Sequence, residues 1–149
     1  MPLKFKIQAE KGEKFINELS LEIGGGTDKS KAGRILLSVF KTLRNHLTLE
    51  ENFHLLSQLP MALKPVYIDG WRPSHKQIVS NTRIGFIEEV LECEGSYFWR
   101  DTDIEDVEFA VLAVFNVMRN YVSVGEFEDI EAVLPTQLKA LVRESNYNF

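Results

Sequence analysis

Apolar residues recur along the chain at steps of one, three and four. Ile35, Leu36, Val39, Phe40, Leu43 and Leu47 form one such stripe, and Ala110, Val111, Val114, Phe115, Met118 and Val122 form another. Spacing of this kind places side chains on one face of a helix with 3.6 residues per turn. Period-two alternation occurs only in Leu3-Lys4-Phe5-Lys6-Ile7, which reads better as a lead-in to a helix than as a lone strand. The stripes and their stop signals predict helices over about residues 8–23, 29–46, 49–57 and 60–67, then 82–93, 103–121, 124–133 and 135–143. Gly24-Gly25-Gly26 ends the first, because glycine accepts the left-handed conformation of a C-cap. Pro60 and Pro135 open short helices, since proline fits a first turn but not an interior. The expected fold class is all-α, a compact helical bundle.

The two stripes belong to a longer repetition. At a constant offset of 75, Leu37–Tyr67 and Leu112–Val142 align without a gap, and ten positions are identical. Arg44/Arg119, Asn45/Asn120, Glu51/Glu126, Pro60/Pro135 and Lys64/Lys139 are among them. Upstream, Phe15–Leu19 (FINEL) matches Phe86–Val90 (FIEEV) at an offset of 71, the difference falling in a loop. This predicts a tandem duplication, with units at about 8–68 and 82–143 joined by the 69–81 connection. Neither unit could bury both sides of its long helix alone, so one domain spanning residues 1–149 is expected.

Composition adds limits. Apolar residues make up 44% and charged residues 26% of 149, ordinary for a soluble globular chain. No apolar run approaches the ~20 residues that span a bilayer, and MPLKFKIQAEKGEKF lacks the features of a signal peptide. Cys93 is the single cysteine, which excludes a disulfide framework and a thiolate metal site. These features point to a cytoplasmic protein of bacterial type, with no membrane association. The net charge of −5 is uneven: residues 1–50 carry nine Lys/Arg against six Asp/Glu, the remainder eight against sixteen. The acidic majority makes nucleic acid an unlikely partner.

The carboxylates raise the sharpest chemical question. Thr48-Leu49-Glu50-Glu51, Ser123-Val124-Gly125-Glu126 and Thr102-Asp103-Ile104-Glu105 all have the S/T-x-x-E form of a capping box. In that device the hydroxyl accepts the N3 N–H and the Glu reaches back to the N-cap N–H. Glu51 and His54 also have the E-x-x-H spacing of metal sites in helical bundles, with Glu126 and Asp129 as the counterpart. Capping gives Glu51 and Glu126 a structural task, so no metal or other cofactor is assigned. Gly24–Ser30 imitates a phosphate loop, but Asp28 stands where its last glycine belongs and the loop follows a helix. His46, His54 and His75 have no nearby nucleophile, and no catalytic residue is assigned. Arg44 and Arg119 close their long helices, where a cation suits the helix dipole.

Two stretches have no counterpart in the other unit. Tyr67–Ser74 (YIDGWRPS) offers Trp71 and Arg72, and Ser96–Asp103 (SYFWRDTD) offers Tyr97, Phe98 and Trp99. Aromatic residues beside arginine are common interface anchors, and packing across the seam between units is the competing role for Trp71. His54, Arg119 and Asp129 are the candidates for lining a pocket at that seam.

Several motifs together carry a family likeness. They are the duplicated L-P-x-x-L-K, Gly125–Ile130 (GEFEDI), Lys31–Leu36 (KAGRIL), Glu50–Asn52 (EEN) and Val66–Trp71 (VYIDGW). In these the chain resembles the bacterial domain-of-unknown-function family 2267 over nearly its whole length. The resemblance implies an all-helical, internally duplicated domain and brings no activity, cofactor or catalytic residue. The family commonly has Ala-Gln-Leu-Pro where this chain reads Ala132-Val133-Leu134-Pro135, while Gln58 keeps the amide in the first copy. If that amide caps the helix break, the second break should be looser. Function therefore points to a non-enzymatic interaction module, a homodimer or a binder of another protein. The alternative is a small-ligand or metal-binding protein, or an enzyme, with its site at the seam.

Overall fold

A computed structural model describes residues 3–24, 27–75, 78–93, 99 and 102–145. Among them the chain forms eight α-helices and no strand: α1 (Phe5–Ile23), α2 (Lys29–His46), α3 (Leu49–Gln58), α4 (Lys64–Ile68), α5 (Arg83–Cys93), α6 (Ile104–Met118), α7 (Val124–Val133) and α8 (Thr136–Glu144). Within the described residues no helix is long and apolar enough to cross a membrane.

The centre is built from α1, α2, α5 and α6. α1 lies against both α2 and α6, and α5 lies against both α2 and α6. α6 consequently meets neighbours on every side, and it is buried continuously from Ala110 to Met118. That is the environment its nearly uniform apolar sequence requires. Phe40 of α2 packs edge-on against Tyr67 of α4, and Phe86 of α5 lies beside Phe115 of α6. α3 rests on α7, and α8 closes against α5, α6 and α7. Gly12 lets α1 approach the turn after α3: a Cβ there would stand 2.8 Å from that of Ala62.

The helix ends follow local chemistry, with three departures from the sequence reading. α1 begins at Phe5 and absorbs part of the alternating segment. α6 stops at Met118 rather than near residue 121, because the amides of Arg119, Asn120 and Tyr121 bond to carbonyls three residues back and tighten the end. After Pro60 the chain forms a 3-10 turn, Met61–Leu63, before the short α4. Pro65 has no N–H to give to Met61, so a continuous α-helix would lose a bond there. Ala140 stands 75 residues on, and α8 runs unbroken.

The loop that imitates a phosphate binder joins two caps. Gly24 takes φ +73° at the end of α1, and Asp28 accepts the Lys31 amide at the start of α2. Ser20 and Thr27 hydroxyls close the turn on backbone carbonyls. Gly25 and Gly26 lie outside the described residues.

Candidate functional site

Four elements meet around the start of α3. Arg44, in the last turn of α2, turns away from its own helix and donates from Nη1 to the carbonyls of Tyr67 and Asp69, each 2.8 Å away. Asn52 of α3 donates to the carbonyls of Arg44 at 2.9 Å and Thr48 at 3.1 Å, and accepts a hydrogen bond from the Tyr67 hydroxyl. The result is a closed circuit tying α2, α3 and α4. Burial lowers the Arg44 pKa and raises that of Tyr67, so the circuit holds a charged guanidinium against a neutral phenol. Arg119 repeats the gesture at the end of α6. It donates to the Val142 carbonyl at 2.8 Å and to the Ser145 hydroxyl, with its guanidinium over the Phe127 ring. The helix dipole is thus a minor part of what either arginine does. Arg119, expected at a seam pocket, is committed to joining α6 and α8.

The capping boxes form only by half. Thr48 accepts the Glu51 amide and Ser123 accepts the Glu126 amide, both at 3.1 Å. The glutamate side chains do not return the bond. The Ser123 amide is instead taken by the Gln58 side chain at 2.8 Å, from the far end of α3. Gln58 therefore caps α7, not the break that follows its own helix. The third box is absent: Asp103 is the N-cap of α6 without a side-chain cap bond, and the Thr102 amide bonds back to Trp99.

Freed from capping, Glu51 and Glu126 turn inward where α3 crosses α7. They are 7% and 4% exposed, and Oε1 of each is buried without a hydrogen-bond partner. A ring nitrogen of His54 and one oxygen from each glutamate all lie within 4.8 Å of one another. Burial first, then hydrogen bonding and repulsion from Glu51 and the charge of Asp129, raise the Glu126 pKa to about 8. His54 is half exposed, which gives the cluster a solvent side. Asp129 sits on the surface of α7 and acts on the cluster only through its charge.

On the other side of Asn52 lies a cleft of about 470 Å³, walled by Leu47, Leu49, Trp71 and Pro73, with Arg44 and His75 among its polar groups. Gly70, at φ +67°, reverses the chain after α4 and lets the Trp71 amide bond to the Ile68 carbonyl. Trp71 thereby reaches α3, meeting Phe53 edge-on with ring centroids 5.9 Å apart. Trp71 is half-buried, Arg72 is exposed, and Leu49 and Phe53 are 50% and 52% exposed. Trp99 differs from the loop anchor expected of it: it is 4% exposed and belongs to the core. Tyr97 and Phe98 lie outside the described residues.

Two polar arrangements had no signal in the linear sequence. His46, buried at the end of α2, pairs with Glu89 of α5 at 2.6 Å. Arg83 bridges Glu108 of α6 and Glu144 of α8. Both join residues distant along the chain, where no spacing rule applies.

The model of one protein family, described as an uncharacterized conserved protein (DUF2267), matches residues 12–141. No curated protein matches the chain.

Proposed function

Because this chain belongs to the DUF2267 family of uncharacterised conserved proteins, whose description supplies no chemistry, we propose from its own geometry that it is a non-enzymatic binding module docking a segment of a partner protein in the Trp71 cleft. The observation that carries this is the half-buried Trp71, seated on exposed Phe53 at the edge of a cleft that includes Leu49, with Arg72 beside it. Aromatic side chains with a neighbouring arginine are typical interface anchors. Among the described residues no carboxylate lines the cleft, whereas Arg44 and His75 do, so the fitting occupant carries an apolar side chain next to an acidic group. The volume suits one or two large side chains.

The same reading includes a single domain made by tandem duplication, in a soluble protein of the bacterial cytoplasm. Its support is the reciprocal packing of α1 on α6 and α5 on α2, and the matching bonds from Arg44 to Tyr67 and from Arg119 to Val142.

Selection from a peptide display library tests the docking role. Peptides with an aromatic or aliphatic residue beside Asp or Glu should be enriched, and Trp71→Ala should weaken them at least tenfold while thermal stability changes little. Undiminished binding to Trp71→Ala would refute the site, and a large loss of stability would assign Trp71 to packing. Light scattering separates the occupants: 17.1 kDa leaves another protein as the partner, and twice that mass points to a second copy.

A further inference from the structure

We propose that Glu51, His54 and Glu126 form a site for one divalent transition-metal ion, set where α3 crosses α7. Three facts support it independently of the docking cleft. First, the donors converge: two carboxylate oxygens and an imidazole nitrogen fall within 4.8 Å, and His54 Nδ1 lies 3.7 Å from Glu51 Oε2. Two ligands of one ion bound at about 2.0–2.2 Å stand roughly 3–4 Å apart, whereas 3.7 Å is too long for a hydrogen bond. Second, both glutamates are more than nine-tenths buried and each leaves one oxygen with no partner. Two buried carboxyl groups face to face repel one another once ionised, and a cation between them removes that repulsion. Third, the scaffold is firm. The Glu51 and Glu126 amides are fixed by Thr48 and Ser123, and the Gln58 bond pins α3 to α7 beside them.

The donor set selects the ion. Imidazole with two carboxylates suits zinc, manganese, iron or cobalt, while magnesium and calcium prefer oxygen alone. The exposed edge at His54 provides entry and leaves room for water to complete the coordination. Glu50, whose carboxylate is 3.9 Å from His54 Nε2, adds negative charge at that entrance. The groups facing the cluster are Glu50 and Tyr67 from the first half and Asp129 from α7, with Arg44 reaching Tyr67 from behind.

Zn²⁺, Mn²⁺, Mg²⁺ and Ca²⁺ would be titrated singly into chelator-treated, dialysed protein, followed by calorimetry and thermal unfolding. One equivalent of Zn²⁺ or Mn²⁺ should bind at micromolar concentration and raise Tm by several degrees, with Mg²⁺ and Ca²⁺ inert at the same concentration. His54→Ala, a change at an exposed position, should weaken binding at least tenfold. Glu126→Gln should abolish it while remaining folded, as its own unfolding transition would verify. Glu51→Gln provides the same test from α3 should Glu126→Gln fail to fold. Absence of a one-to-one event in the wild type would overturn the site, leaving a carboxyl pair that only shares a proton. Unchanged affinity in folded His54→Ala and Glu→Gln variants would overturn it equally, by locating the ion elsewhere.

Discussion

Glu126 is a residue at which this fold carries an electrostatic cost. A carboxyl held near pKa 8 in the folded chain and close to its ordinary value when unfolded binds more protons folded than unfolded at every pH between. Stability must then fall as pH rises from about 4.5 toward 8, the reverse of a salt-bridged carboxylate. In metal-free protein Tm should decline across that interval, and Glu126→Gln should flatten the decline. At pH 8 the variant should be more stable than the wild type by on the order of 1–2 kcal/mol, since an amide carries no charge to bury. Chemical denaturation at several pH values measures this; a wild-type profile that rises through neutrality would contradict it. The same residue shows what the sequence can reveal. Ser123 accepting the Glu126 amide is a bond over three positions and was legible as S-x-x-E. The direction of the Glu126 side chain was not, because it depends on Glu51 at a sequence distance of 75, which only the folded chain brings near.

At the scale of elements, helix boundaries set by local signals were readable, and those set by distant partners were not. α2 and α7 run over the residues their stripes and N-caps predict. Trp99 looked like a loop residue and is core, because burial depends on what packs above it and no periodicity records that. The helix break after α3 is a further case. The amide of Gln58 suggested a local cap, yet it serves the N-terminus of α7. By the sequence offset of 75, Gln58 corresponds to Val133 and Ser123 to Thr48, and Val133 has no side-chain acceptor and is 38% exposed. Gln58→Ala should therefore cost about 0.5–1.5 kcal/mol by leaving the Ser123 amide to water. Val133→Gln should gain a few tenths to about 1 kcal/mol by supplying the reciprocal bond. Urea unfolding of the two variants decides the matter. A destabilising Val133→Gln would mean that the α3 start does not mirror the α7 start.

For the whole molecule the decisive feature is which helix covers which. α1 packs on α6 as well as on α2, and α5 on α2 as well as on α6. Each half of the chain therefore supplies the cover for the other half's longest apolar helix. Arg83 adds to this by holding Glu108 and Glu144 from α5, the element that also seals α2 through the His46–Glu89 pair. A fragment of residues 1–75 would keep α2 and its Arg44–Tyr67–Asn52 circuit but expose the face that α5 covers. A fragment of residues 76–149 would expose the face of α6 that α1 covers. Neither should show a cooperative thermal transition as a monomer, because the missing cover is apolar surface rather than a few hydrogen bonds. Mixed in equal amounts they should recover helical circular dichroism and one concentration-dependent transition, since the connection they lack is exposed at Arg72–His75 and contributes chiefly its chain length. If the proposed duplication is right, each fragment should also dimerise weakly with itself, its first helix standing in for the absent one. The mixture should outcompete that pairing, because only the mixed pair restores the native apolar cover of α2 by α5 and of α6 by α1. Sedimentation of the separate and mixed fragments distinguishes these outcomes, and a cooperatively folded monomer of either fragment would refute the interlocked arrangement.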